Sequence, residues 1–211
     1  MLLTVVDYGV GNLRSIAKSI EKANSEDNLK YKIEVSSNLN VIKNSDKLVL
    51  PGQGSFKACK EGIIKINGLL EELNESVLIK QKPIFGICAG MQLFASWGYE
   101  EEKTEGFNWI EGEVIKINLK DVSLKIPHIG WNEINKKKPA LLLNDVKDSS
   151  HAYFIHSFEF IPKDKSTICA TTDYGKEINA AISKENILGT QFHPEKSQKT
   201  GIKILTNFLK L

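Results

Sequence analysis

The feature that most restricts this chain is a set of short apolar runs, each stopped by glycine-rich sequence. Leu2–Val6 ends at Asp7, Gly9 and Gly11, Lys47–Leu50 ends at Pro51-Gly52-Gln53-Gly54, and Pro83–Ile87 ends at Cys88-Ala89-Gly90. A short run with no polar alternation is a strand covered on both faces. Helical patterns separate these runs. Asn12 can cap a helix through Ile16 and Ile20, Asn38–Lys43 reads as a short helix, Phe56–Leu78 as helices broken near Gly68, and Ala89–Ser96 as a helix. With Tyr31–Val35 as a further strand, this alternation predicts a parallel sheet with helices on both faces.

The second half has another rhythm. Glu113–Ile117, His151–Phe160, Thr167–Thr172, Ile178–Ser183 and Ile187–Phe192 are strand-like and have no long helices between them, so they read as antiparallel. In Ser197–Leu211, Ile202, Leu205, Phe208 and Leu209 fall at helical spacing and predict a closing helix laid back on the sheet. No linker or repeat divides the chain. The expectation is one α/β domain over residues 1–211 with a mixed sheet.

Composition excludes several classes. A chain of 211 residues with 41% hydrophobic content can bury a full core without staples. Lys+Arg 28 nearly balances Asp+Glu 26, and Arg14 is the single arginine, so nothing favours a nucleic-acid partner. Lys136-Lys137-Lys138 before Pro139 reads as a solvated loop. Cys59, Cys88 and Cys169 are too few for a disulfide framework and lack metal-ligand spacing, so no metal is expected. The N-terminal apolar stretch stops at Asp7 without a basic lead, which reads as a buried strand rather than a signal or membrane segment. A soluble cytoplasmic protein is expected.

Two segments carry chemistry. Gly86-Ile87-Cys88-Ala89-Gly90 places a cysteine between a strand and a helix, as in a nucleophile elbow. Flanking glycines remove side chains that a sharp turn would drive into a clash, and N–H groups at the helix start can favour a thiolate or hold an oxyanion. Cys59 and Cys169 lack that context and read as structural. Downstream, Phe192-His193-Pro194-Glu195 ends a strand. Extended backbone at His193 puts residues two apart on one side, so Glu195 can orient the imidazole while its other nitrogen faces a thiol. His128, His151 and His156 have no nearby carboxylate in sequence and are weaker catalytic candidates. Pro51-Gly52-Gln53-Gly54 lies at a parallel strand's carboxyl end, on the same edge as Cys88, and can turn backbone N–H groups toward a negative oxygen. It lacks the Lys-Ser/Thr ending of a phosphate loop.

Together these motifs resemble the class I glutamine amidotransferases. Asp7–Asn12, Pro51–Gly54, Pro127-His128-Ile129-Gly130-Trp131-Asn132 and His193–Ser197 narrow the resemblance to the glutaminase subunits of imidazole glycerol phosphate synthases, over nearly the whole chain. The resemblance implies a flavodoxin-like three-layer fold with a parallel sheet core and an antiparallel extension. It makes Cys88 the nucleophile, His193 the general base and acid, and Glu195 its orienter. Gly52, Gln53 and Ala89 would form the oxyanion hole, after a reorientation of the loop. Gly54, Gln92, His156, Ser157 and Phe158 would line the glutamine pocket. Asn12, Trp131, Tyr153 and Lys196 would face a (βα)8-barrel cyclase that receives the ammonia. No cofactor is implied. Gln53 stands where valine is common in the family, and Ala89 where a larger apolar residue is common. Both oxyanion contacts come from backbone and survive either change.

Three other readings compete. A paralogous subunit would pass ammonia to another acceptor, such as a nucleotide sugar. A free-standing cysteine hydrolase would act without a partner. A non-catalytic module of this fold would be expected to have lost part of the Cys–His–Glu set.

Overall fold

The computed structural model describes residues 1–121 and 123–211. Its first half runs β1 (Leu2–Val6), α1 (Leu13–Glu26), β2 (Lys32–Ser36), α2 (Leu39–Asn44), β3 (Lys47–Leu50), α3 (Phe56–Ile64), α4 (Leu69–Asn74), a π turn (Glu75–Ile79), β4 (Ile84–Ile87) and α5 (Ala89–Gln92). The three helices α1, α2 and α3 start on Asn12, Asn38 and Ser55, whose side-chain oxygens accept N–H groups of the first turn. The second half runs β5 (Trp97–Gly98), β6 (Thr104–Glu105), β7 (Gly112–Lys116), β8 (His128–Lys136), β9 (Ser150–His156), β10 (Phe158–Pro162), β11 (Ile168–Asp173), β12 (Glu177–Lys184), β13 (Ile187–Thr190) and α6 (Gln198–Lys210).

The main sheet has the order β2-β1-β3-β4-β13-β12-β11-β8-β9. Pairing is parallel from β2 to β13 and antiparallel from β13 to β9. Alternate residues of the central strands feed two cores. Leu3, Val5, Val49, Phe85 and Ile87 pack toward α1 and α6, while Val6, Leu48, Leu50 and Ile84 pack toward α2, α3 and α4. Phe85 stacks on Phe208 of α6 with ring centroids 5.3 Å apart. The buried Lys47 donates to the carbonyls of Phe208 and Leu209 at 2.8 and 2.9 Å, satisfying the end of α6. This is the expected α/β architecture: a mixed sheet, parallel at its core, with helices on both faces.

Four expectations need correction. The helix expected over Ala89–Ser96 is a single turn, because the carbonyls of Leu93, Phe94 and Ala95 are taken by N–H groups of Phe107–Ile110. The span His151–Phe160 is two strands: the chain leaves the main sheet at Ser157, and β10 enters a small sheet ordered β10-β7-β5-β6. β8 was not anticipated as a strand, since its outward positions Ile129 and Trp131 are apolar and hide the alternation. Finally, β13 is antiparallel only to β12; its other neighbour, β4, is parallel.

The turn after β3 and the turn after β4 touch through backbone. A methyl group added at Gly90 would meet the Leu50 carbonyl oxygen at 2.1 Å, and one added at Gly52 would meet the Gly90 nitrogen at 1.9 Å. Those neighbours are main chain of central strands and their turns and cannot swing away. Gly90→Ala is therefore expected to lose about 2–3 kcal/mol of stability through overpacking, measured by denaturant unfolding; an unchanged midpoint would refute the close approach.

Candidate active site

The three strand ends that carry chemistry are adjacent. Leu50 of β3 pairs with Gly86 of β4, and Ile87 of β4 pairs with Thr190 of β13. The residues just beyond them, Pro51–Gly54, Cys88 and Gln191–His193, therefore meet at the carboxyl edge of the parallel strands, where open α/β sheets bind ligands. The β1–α1 loop reaches the same edge, since a methyl group at Gly11 would touch Pro51 at 3.0 Å.

Cys88 has φ 54 and ψ −116, a conformation costing a non-glycine residue about 1–3 kcal/mol. Its N–H is tied to the Thr190 carbonyl at 2.8 Å, and Gly90 clears the turn. The sulfur is nearly buried, 3.6 Å from the Gln191 side-chain nitrogen and 3.8 Å from the Ile155 carbonyl. Because α5 is one turn, the field at the sulfur comes from its first free N–H groups rather than from a long helix dipole.

His193 has the extended backbone expected before proline, φ −97 and ψ 100, but the chain does not stay extended to Glu195. β13 stops at Thr190, and Pro194–Lys196 forms a tight 3-10 turn that folds Glu195 back. His193 Nδ1 donates to Glu195 Oε1 at 2.8 Å, with the two side chains 2% and 0% exposed. The other ring nitrogen is left for Cys88. Burial by itself would depress this imidazole, but hydrogen bonds and charge from Cys88 and Glu195 outweigh it and raise it to about 10. Ser197, part of the quoted motif but given no role from sequence, fastens the turn: its hydroxyl donates to the His193 carbonyl at 2.6 Å and accepts the Tyr153 N–H at 3.0 Å.

Beside the sulfur lies a cavity of about 300 Å³ lined by Gly52, Gln53, Gly54, Cys88, Ala89, Gln92, Glu100, Ile155, His156, Ser157, Phe158, His193 and Lys196. Every residue expected to shape the pocket or the oxyanion hole is there. Gln92 commits both amide protons, one to the Phe158 carbonyl and one to Gln191 Oε1, each at 3.0 Å, so only its oxygen is left to accept from a ligand. The loop is held by the Tyr8 hydroxyl, which donates to the Pro51 carbonyl. Burial pushes the neighbouring Cys59 thiol up to about 11. The sequence reading missed Glu100 and Ile155. Glu100 sits in the acidic run Glu100–Glu102 and gave no signal; it accepts the Phe56 N–H at 2.8 Å, which fixes it against α3.

Three of the four residues expected at a partner interface are neighbours. Trp131 and Tyr153 face each other across β8 and β9 with centroids 6.1 Å apart, and the Lys196 ammonium lies 5.6 Å from the Tyr153 ring. Asn12 is exposed on a different element, where it caps α1. Among the described residues no helix is long and apolar enough to cross a membrane.

A buried cysteine in a strained elbow, an imidazole paired to a carboxylate and a pocket with backbone donors together suit attack on a carbonyl. The sequence model of the family described as Glutamine amidotransferase class-I matches residues 4–211. The chain belongs to the class-I glutamine amidotransferases and is an enzyme of that kind. Among curated relatives it is similar to the imidazole glycerol phosphate synthase subunit HisH of Pelagibacter ubique, 53% identical with all of both chains covered. The HisH subunits of Bradyrhizobium diazoefficiens and Rhodospirillum rubrum are 43% and 42% identical, over 100% of this chain and 99% of theirs. Solved structures of similar fold include PurLQS from Thermotoga maritima, with TM-score 0.71, 16% identity, and coverage of 99% of this chain and 97% of that one. A glutamine amidotransferase crystal structure has TM-score 0.70 at 15% identity, covering 99% of each chain.

His128 and His156 face each other across β8 and β9, and their rings bond at 3.0 Å. Burial lowers both to about 4, with the Phe158 carbonyl opposing and the other imidazoles adding for His156. An unfolded histidine titrates near ~6.5. The unfolded chain therefore binds more protons between pH ~6.5 and ~4, so this contribution is complete above pH ~6.5 and is lost as pH falls toward 4. Each ring should cost on the order of 1–2 kcal/mol at pH 5. NMR titration should find both rings neutral from pH 8 to 5 while denaturant unfolding shows the falling stability; titration near 6.5 would mean that the rings are solvated.

Proposed function

We propose that this chain is the glutaminase subunit of an imidazole glycerol phosphate synthase in histidine biosynthesis, folded as one amidotransferase domain over residues 1–211. The observation that carries the reading is the buried His193, set between Cys88 and Glu195 at the mouth of the cavity.

In this reading Cys88 attacks the side-chain amide carbon of glutamine. His193 takes the thiol proton and gives it to the departing amine, so ammonia leaves and a thioester remains. Water, deprotonated by His193, then releases glutamate. Glu195 holds the imidazole with Nδ1–H fixed, so that Nε2 does the proton work. The negative oxygen of each tetrahedral intermediate is received by the Ala89 N–H and by the Gln53 N–H. The family resemblance implies that the Gln53 N–H serves only after the loop reorients, which goes with a low rate without a partner. Gly54, Gln92, His156, Ser157 and Phe158 hold the substrate, with Glu100 suited to its ammonium group and Lys196 to its carboxylate.

The family name of the relatives implies a second subunit, and we take it to be a (βα)8-barrel cyclase that receives ammonia and makes imidazole glycerol phosphate and an aminoimidazole carboxamide ribotide. The exposed Trp131, with Tyr153 and Lys196, supplies an aromatic and cationic face for it. Asn12, exposed at the start of α1, is the fourth residue of this proposed contact. Three free cysteines support a reducing compartment, the cytoplasm.

Cys88→Ala should remove glutamate release from glutamine by more than about a thousandfold while partner binding persists; residual turnover near wild type would end the assignment. Lys196→Ala should weaken association with the cyclase, read by titration calorimetry, and unchanged affinity would remove it from the interface. Wild-type glutaminase activity should be low alone and rise strongly with the liganded cyclase. Full activity alone, indifferent to the cyclase, would favour a free-standing hydrolase, and low activity under both conditions would favour a paralogue with another acceptor.

A further inference from the structure

Gln191 has no role in the steps above, yet it is fully buried and its side-chain nitrogen lies 3.6 Å from the Cys88 sulfur. An amide can present either its donor or its acceptor, so what turns the donor toward the sulfur decides what Gln191 does. Gln191 Oε1 accepts from Gln92 Nε2 at 3.0 Å, which leaves the NH2 end for Cys88. Gln92 is fixed in turn, because the Phe158 carbonyl can only accept and takes the other Gln92 proton.

The Phe158 carbonyl is a junction. It also receives His156 Nδ1 at 2.9 Å, so His156 carries its proton there and its Nε2 accepts from His128 Nδ1. His128 Nε2 then accepts from the Asn132 amide at 3.2 Å. Every donor and acceptor from Asn132 to the Phe158 carbonyl, and from that carbonyl through Gln92 to the sulfur, is thereby fixed in direction.

We propose that Gln191 is a positioning residue for the nucleophile: its amide, locked donor-first by Gln92 and the Phe158 carbonyl, holds and stabilises the Cys88 thiolate. This deepens the glutaminase reading and rests on it for its place in turnover, although the effect on the sulfur can be measured without glutamine. A hydrogen bond given to a charged acceptor is stronger than one given to a neutral acceptor. Its loss therefore disfavours thiolate over thiol.

The test is the pH dependence of Cys88 alkylation by iodoacetamide in the whole chain, with the labelled peptide identified by mass. Cys59 and Cys169 are fully buried and report separately. Gln191→Met removes the donor at similar volume, and Gln191→Glu keeps the shape while presenting an acceptor. Both should move the midpoint upward, by about one pH unit for Gln191→Met, or about tenfold slower alkylation on the acid side, and further for Gln191→Glu. Gln92→Met, on another element, frees the Gln191 amide to flip and should shift the midpoint in the same direction by less. It decides the matter if the Gln191 variants do not fold. Folded variants with the wild-type midpoint would overturn the proposal, whatever their melting temperatures. Wild-type protein that releases no glutamate with the liganded cyclase would sink the reading as a synthase subunit, while a shifted alkylation profile would still uphold the role of Gln191.

Discussion

The parallel pairing of β4 with β13 is the constraint on which the site depends. β4 belongs to the strand–helix half of the chain and β13 to its antiparallel half, and they meet in register from Ile84 and Ile187 to Ile87 and Thr190. A slip of one residue would turn each side chain to the other face. The Cys88 N–H would lose the Thr190 carbonyl, and the sulfur would lose Gln191. The register is secured from both sides, because Phe85 and Ile87 enter one core while Ile84 and Ile187 enter the other. The energy that holds the strained Cys88 backbone is thus distributed over the packing of the sheet.

Much of this was legible before the structure. The runs at Leu2–Val6, Lys47–Leu50 and Pro83–Ile87 are strands covered on both faces, with Thr4 and Lys47 buried but paired, and Gly52 and Gly90 after two of them are where backbones touch. The triad was legible because its residue types are costly elsewhere: a cysteine between glycines and a His-Pro-Glu at a strand end. What stayed hidden depends on partners remote in sequence. The single turn of α5 is short because a loop some fifteen residues downstream takes its carbonyls. β8 was unreadable because Trp131 and Ile129 face outward on a strand whose inner face carries His128 and Asn132. Gln191 gave no signal at all, since a glutamine in a strand is ordinarily a solvated position and only the β4–β13 register brings it to the sulfur.

The histidines show how one dry environment produces opposite protonation. His128, His156 and His193 are all nearly inaccessible, and burial pushes each toward the neutral form. His128 and His156 bond each other, the Phe158 carbonyl and the Asn132 amide, and His128 stacks on Phe154 and Tyr174; no opposite charge among these partners repays the desolvation of an imidazolium, and both stay neutral. His193 sits between a carboxylate and a sulfur, and these outweigh burial. Its contribution to stability runs the other way with pH: it is complete below the unfolded value of ~6.5 and is lost as pH rises toward 10. The two effects bracket a range near neutrality in which neither is lost in full.

That bracket bears on why a neutral pair lies behind the pocket. If His156 were protonated, both of its nitrogens would be donors, and His128 would have to turn its lone pair toward it. The Asn132 amide would then meet an N–H instead of an acceptor, and the fixed direction of the chain of bonds would be gone. Keeping both imidazoles neutral lets one half-exposed amide on β8, next to the exposed Trp131, remain in hydrogen-bond continuity with the nucleophile. A partner pressing on β8 would act on the outer end of that chain, so the strand least legible in the sequence is the one that links the outer surface to the sulfur.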